Sequence, residues 1–197
     1  MSNGNELFPI FLRLDKLHVL VVGAGEVGWE KLGMMFRHAD NGKVRVVAPE
    51  IRTEIRSLAE CYSPQIELRQ KPFDESDLEG IDVVIIATAD KALNHSVWEQ
   101  AKAKKILTNV ADTPELCDFY LSSVVKKGDL KVAISSNGKS PTLTKRIREV
   151  LEDVLPEEID ELLEKLNEIR DSLKGDFEYK VKKLDEITSV FKNNNKA

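Results

Sequence analysis

Gly23-x-Gly25-x-x-Gly28 cuts off an apolar, β-branched run, His18-Val-Leu-Val-Val22, and a helix-like segment follows at once. The arrangement suits a pyrophosphate. The chain turns tightly at Gly23, the backbone can approach a ligand closely at Gly25, and Gly28 lets the next helix pack on the strand. The first N–H groups and the positive dipole end of that helix then face the phosphates. Three glycines can also serve a plain strand–helix turn, but the flanking strand and helix are the context that dinucleotide binding requires. An acid about 20 residues past the last glycine would hold the ribose hydroxyls. Glu50 has that spacing. Ala48 occupies the strand tip, however, so Glu50 could equally be a surface acid at a helix start. An acid here favours NAD over NADP, whereas nearby Arg52 favours the reverse, since arginine can accept a 2′-phosphate.

Thr88 and Asn109 close two further apolar runs, which places them at the carboxyl edge of a sheet, where open α/β folds bind ligands. Asp112 follows Asn109-Val-Ala and precedes Thr113-Pro114. An aspartate at such a tip can act as a base in the crevice, or it can be an Asx-turn or helix-cap acid. Ser135-Ser-Asn-Gly-Lys-Ser-Pro141 is small, polar and opens a helix, so it is a second candidate anion site. Lys139, Lys145, Arg146 and Arg148 surround it. The same residues also fit a capped helix with a solvated basic face.

These residues belong to a chain of 197, with 42% hydrophobic and 32% charged residues and a net charge of −5. That composition fits a soluble globular protein and argues against general nucleic-acid binding. Cys61 and Cys117 form no CxxC pair, and His18, His38 and His95 lie far apart, so no metal site is expected. Leu7 to Leu12 is apolar but broken by Pro9 and lacks a basic lead, a poor signal peptide. No run approaches the roughly 20 apolar residues that span a bilayer. A cytoplasmic protein is expected.

Strands are predicted at 18–22, 43–48, 66–69, 82–87 and 106–110. Helices are predicted at 26–38, with Val27, Leu32, Met35 and Phe36 inward, and at 52–61 and 91–104. The alternation, with a near-continuous apolar run at Asp82–Ala87, predicts an α/β fold with a parallel sheet of Rossmann type. Near residue 113 the pattern changes. Tyr120–Val125 and Leu130–Ser135 flank Lys126-Lys-Gly-Asp129 as a β-hairpin. Ser140 is the expected N-cap and Pro141 the first residue of a helix with the stripe Leu143, Ile147, Val150, Leu151 and Val154. Past Pro156 a helix carries Ile159, Leu162, Leu163, Leu166, Ile169 and Leu173. Another carries Phe177, Val181, Leu184, Ile187 and Phe191. Both stripes read as a small helical bundle, with a partner-binding coiled coil as the other possibility. Asn193–Ala197 is expected to fray.

Together these elements resemble the precorrin-2 dehydrogenase and sirohydrochlorin ferrochelatase family of sirohaem synthesis. The matching pieces run in order. They are Leu7-Phe-Pro-Ile-Phe-Leu12; Val21-Val-Gly-Ala-Gly-Glu-Val27 with Lys31; Val47-Ala-Pro-Glu50; Pro72-Phe-Asp74; and Ala87-Thr88 with Leu93-Asn94. Asn109-Val-Ala-Asp112 and Ala133-Ile-Ser-Ser-Asn-Gly-Lys-Ser-Pro141 follow, leading to Leu155-Pro156. The last two are far more specific than the glycine motif. Two departures stand out. Thr88-Ala89-Asp90 replaces the Thr-Asp-Asp of many relatives, and Gly28 stands where many have alanine, a change expected to be benign.

The resemblance implies three parts: an NAD-binding Rossmann domain (1–112), a dimerisation region with the hairpin (113–155) and a helical C-terminal domain (156–197). It implies intertwined homodimers that oxidise precorrin-2 to sirohydrochlorin with NAD⁺, and in some members insert Fe²⁺ to give sirohaem. The family's catalytic aspartate falls on Asp112 and its active-site serine on Ser136. The cofactor set is Gly23, Gly25, Glu26, Val27, Gly28, Glu50, Thr88 and Asn109. Lys139, Lys145 and Arg146 are the candidates for the carboxylates of a flat tetrapyrrole substrate. The sequence stops short of the methyltransferase domain of fused relatives, so the chain is not expected to make precorrin-2. A ligand-sensing Rossmann module without catalysis is the competing class, and it would need the glycine motif but neither Asp112 nor residues 135–141.

Overall fold

The computed structural model describes residues 4–189 and divides into two compact units, 1–122 with 136–140, and 123–135 with 141–197. In the first unit, β1 (His18–Val22), β2 (Lys43–Ala48), β3 (Ile66–Gln70), β4 (Val83–Ile86) and β5 (Leu107–Val110) form one sheet in the order β3-β2-β1-β4-β5. Each pairing is parallel. Parallel strands need crossovers, and helices α1 (Glu26–His38), α2 (Thr53–Cys61) and α3 (Lys91–Ala103) supply most of them.

Alternation along each strand explains why the runs are apolar throughout. Val19 and Val21 of β1, with Val44, Val46, Val83 and Ile85, meet Leu32, Met35 and Phe36 of α1 and Ile55 and Ala59 of α2. Leu20 and Val22, with Val47, Val84 and Ile86, meet Val97 and Ala101 of α3 on the other face. Both faces are covered, so β4 and, past His18, β1 are apolar and buried, while the edge strand β3 carries Glu67, Arg69 and Gln70 at half-buried or exposed positions. Val27 departs from its expected inward place. It is half-buried and lines a crevice at the sheet edge, because the first turn of α1 overhangs the carboxyl end of the sheet rather than its face.

In the second unit, β6 (Ser123–Lys127) pairs antiparallel with β7 (Leu130–Ile134). The first strand begins and ends later than predicted. Lys127 pairs with Leu130, and a two-residue turn at Gly128-Asp129, with Gly128 at φ +53°, replaces a four-residue loop. The Asp129 N–H donates to Asp160 Oδ1 at 2.7 Å, and Lys127 pairs with Glu157, so the turn is tied to the start of α5 (Ile159–Ser172).

Helix α4 (Pro141–Val154) starts at Pro141 as predicted, but its apolar stripe is not in a core. Leu143 is 55% exposed, Val150 59% and Val154 71%, while Thr144 is the buried position. Nor do α5 and α6 (Phe177–Thr188) close a bundle. Ile159 is their one buried residue among those described, and Phe177 is 83% exposed. An amphipathic stripe demands cover without saying which chain supplies it. Phe191 and Asn193–Ala197 lie outside the described residues.

Candidate active site

A crevice of about 890 Å³ opens in the first unit at the carboxyl ends of β1, β4 and β5. Strand order reverses direction between β1 and β4, the switch point where an open α/β sheet leaves space for a ligand. Gly25, Glu26 and Val27 form one wall, and Ala87, Thr88 and Ala89 form the next. Asp112, Thr113 and Glu115 form the far side.

The glycine turn is shaped as its sequence predicts. Gly23 sits at φ +104°, and a Cβ there would stand 2.4 Å from the Ala87 carbonyl oxygen, so only glycine fits. Its N–H donates to Val47 O at 3.0 Å, tying the turn to β2. Gly25 caps α1, with open space where its side chain would be. Bare backbone at a helix N-terminus beside a crevice of this volume fits a dinucleotide.

Thr88 is held from behind. Its Oγ1 donates to Asn94 Oδ1 at 2.5 Å, and Asn94 Nδ2 donates back to Thr88 O at 3.0 Å. Asn94 is 6% exposed, so this reciprocal pair replaces water for a buried amide. Asp90 caps α3 by accepting from the N–H groups of Ala92 and Leu93.

Asp112 is exposed and sits at φ +55°, the left-handed region that aspartate tolerates better than most residues. The loop that carries it is pinned to β5 on its far side. Asn109 Nδ2 donates to Phe119 O at 2.8 Å, and the Cys117 thiol donates to Val110 O at 3.3 Å. Burial pushes the Cys117 thiol above its ordinary value, so it remains a protonated clasp. Asp118 accepts from Thr108 N at 2.9 Å and Lys102 Nζ at 2.6 Å. Burial pushes the Asp118 carboxyl up, but Lys102 and the Thr108 donors outweigh it and hold it below its ordinary range.

Of the sequence-predicted residues, the structure brings Gly25, Glu26, Val27, Thr88 and Asp112 to one crevice. Gly23 and Gly28 shape the turn beneath them. Asn109 is buried behind the crevice with its amide on Phe119, and Glu50 is exposed beyond the end of β2. Ser136 and Lys139 fall in the same unit as the crevice, in a turn where Ser140 N donates to Ser136 Oγ at 3.0 Å. Asn137 and Gly138 are both left-handed there, at φ +54° and +73°. Lys145 and Arg146 belong to the second unit, exposed on α4 beside Glu149.

Lys91 and His95 also line the crevice, and sequence reading missed both. They stand four residues apart on α3, hence on one helix face. His95 Nδ1 lies 3.6 Å from Glu99 and its ring 5.3 Å from Trp98. The i, i+4 spacing just after a strand tip was the available signal.

Residues 10–123 match the family model described as "Putative NAD(P)-binding". The chain belongs to this NAD(P)-binding family. Residues 127–153 match a second model, the sirohaem biosynthesis protein central region, so the resemblance read from the sequence is borne out. The siroheme synthase of Psychrobacter sp. (strain PRwf-1) is 36% identical over 168 residues, 85% of this chain and 34% of that protein. The siroheme synthase of Photorhabdus laumondii is 39% identical over 151 residues, 77% of this chain and 31% of that one. The chain thus spans about a third of the length of these curated relatives. The solved structure of SirC, a precorrin-2 dehydrogenase, superposes with a TM-score of 0.71 at 29% identity, covering 92% of this chain and 89% of that one. Within the NAD(P)-binding family this chain thus shares its fold with a dehydrogenase along nearly its whole length, helical C-terminal region included.

Proposed function

We propose that the chain is an NAD-dependent dehydrogenase that oxidises precorrin-2 to sirohydrochlorin. Its resemblance to SirC along nearly the full chain is the observation that carries this reading. NAD⁺, when bound, supplies the hydride acceptor. Gly23, Gly25 and Gly28 hold its pyrophosphate at the start of α1, with Glu26, Val27 and Thr88 beside it and Glu50 toward the adenosine ribose. Asn109 steadies that wall from behind.

Loss of a hydride from a carbon next to a pyrrole ring leaves a proton to be removed. Asp112, one of three carboxylates at the crevice with Glu26 and Glu115, is the one assigned to take it. Ser136 is assigned to the substrate side, with its Oγ already an acceptor from Ser140 N and its hydroxyl hydrogen left to donate. The substrate's carboxylates call for cations, and Lys139, Lys145 and Arg146 are assigned to them, joined by Lys91 at the crevice itself. The three-part division at 1–112, 113–155 and 156–197 belongs to the same reading. So does a homodimer, in which a second copy covers the exposed stripe of α4.

The proposal extends to Fe²⁺ insertion. Iron displaces two pyrrole protons, and Asp112 is assigned to accept them one at a time, passing the first to solvent before it takes the second. Iron is a substrate here. Among the described residues no cluster of three His, Cys, Asp or Glu would hold a resident ion. No helix of the described residues is long and apolar enough to cross a membrane. A cytoplasmic enzyme is the proposed setting.

The test is incubation with precorrin-2 and NAD⁺, followed by the sirohydrochlorin spectrum and then addition of Fe²⁺. NAD-dependent appearance of sirohydrochlorin supports the reading. NAD⁺ binding without turnover would convert it to the sensing class.

A further inference from the structure

The guanidinium of Arg52 is already taken. Arg52 is the residue before α2, and its N–H donates to Ala24 O in the glycine turn at 3.3 Å. Its Nη2 donates to Glu54 Oε1 at 2.6 Å and its Nε to Glu54 Oε2 at 3.2 Å, the two-pronged grip of a guanidinium on a carboxylate. Its Nη1 donates to Glu26, which lines the crevice. The Glu54 bond holds Arg52 above its ordinary value, and Arg52 holds Glu54 below the usual carboxylate range.

This cluster stands where a 2′-phosphate would lie. In folds of this topology the ribose hydroxyls meet the chain just beyond β2, where an acid selects the hydroxyl and an arginine accepts the phosphate. Both residue types are present in this chain, as Glu50 and Arg52, and only the side-chain pairing tells them apart. Glu26, Glu50 and Glu54 against Arg52 leave the corner with a formal charge of about −2. A phosphate would have to displace Glu54 from Arg52 and then stand beside the freed carboxylate. Of the neighbouring cations, Arg56 donates to the neutral amide of Gln70 at 2.7 Å and keeps its charge, while Lys31 is paired with the Glu30 carboxylate at 3.3 Å.

We propose that Glu54 is a specificity-determining residue, which, together with Glu26, holds Arg52 away from the cofactor and so makes the site reject NADP⁺. Glu54 touches no cofactor and acts through Arg52. The inference rests on the reading of the crevice as an NAD site.

The test is a pair of titrations, NAD⁺ and NADP⁺, followed by Trp29 and Trp98 fluorescence or calorimetry. Wild-type protein should bind NAD⁺ at least about tenfold more tightly than NADP⁺, and the gap should narrow at high salt. Glu54→Gln should shift the ratio toward NADP⁺ by about tenfold. Adding Arg52→Ala should abolish that gain. Equal wild-type affinities, an unchanged ratio in Glu54→Gln, or a gain that survives Arg52→Ala would each overturn the proposal. Absence of binding by either nucleotide would instead overturn the cofactor reading on which it rests.

Discussion

A Cβ on Gly28 would stand 2.2 Å from the carbonyl oxygen of Gly23. The third glycine of the motif is therefore fitted against the first, and an alanine there is not a benign change in this chain. Backbone must move to admit it. Gly28→Ala should destabilise the protein by about 1–2 kcal/mol, since the strain exceeds the helix-propensity gain. It should also weaken NAD⁺ binding about tenfold or more. Urea denaturation and nucleotide titration check both, and unchanged binding would show that the turn adapts freely.

Asp112→Asn keeps a residue that tolerates φ +55° and removes the charge. Turnover should fall about 10²–10⁴-fold, the range for loss of a positioned base. NAD⁺ affinity should barely move. Full turnover by this variant would exclude Asp112 as the base.

Asn94→Ala should act through position rather than chemistry. It removes both bonds to Thr88 and leaves a gap in a buried wall, at a cost of about 1–3 kcal/mol. The KM for NAD⁺ should rise more than kcat falls. An equal loss in both would argue that Asn94 does more than hold Thr88.

Acid sensitivity should centre on the buried Asp77. It accepts from Lys71 Nζ at 2.7 Å, Arg69 Nη1 at 3.0 Å and Asp74 N at 3.0 Å. Burial pushes its carboxyl up, but Lys71, the Asp74 amide and Arg69 outweigh burial and hold it below its ordinary value. Asp118 is lowered too, and Lys71 and Ser76 bring Asp74 down to about 2. Carboxylates that are more acidic folded than unfolded give stability that is complete above the unfolded value near 3.8 and is lost as pH falls through the folded value. Urea midpoints followed by circular dichroism should be flat above about pH 5 and fall steeply below about pH 4. Asp77→Asn should cost about 1–3 kcal/mol at neutral pH and flatten the acid limb.

Val150→Glu tests the stripe on α4. Val150 is 59% exposed in the single chain, so the change should cost the folded monomer little. Sedimentation should show a wild-type dimer converted to monomer, with NAD⁺ affinity retained. A wild-type monomer would remove the dimer from the proposal.

Much of the site could be read along the chain because its determinants are local. Gly23, Gly25 and Gly28 carry their conformational demands in their own lack of a Cβ. Thr88 and Asp112 follow short β-branched runs bounded by turn residues, which read as strands of a parallel sheet. The sequence does not single out His95, because its place beside Lys91 matters only at a crevice that neither residue encodes. Asn109 was assigned to the cofactor from its place at a strand end. Its amide donates to Phe119 O, a partner set by the path of a loop ten residues later.

Composition and spacing alone determined the five-stranded α/β sheet, the glycine turn and the strand tips that carry Thr88 and Asp112, since β-branched runs and missing side chains act within a few residues. Tertiary structure decided which charges meet. Arg52 could have served a phosphate, and it is turned to Glu26, 26 residues away, only because α2 starts over the glycine turn. It also decided that Asp77 would be buried among cations and that the α4 stripe would face outward. Pairing and burial depend on where distant segments cross, and side-chain periodicity carries no record of that.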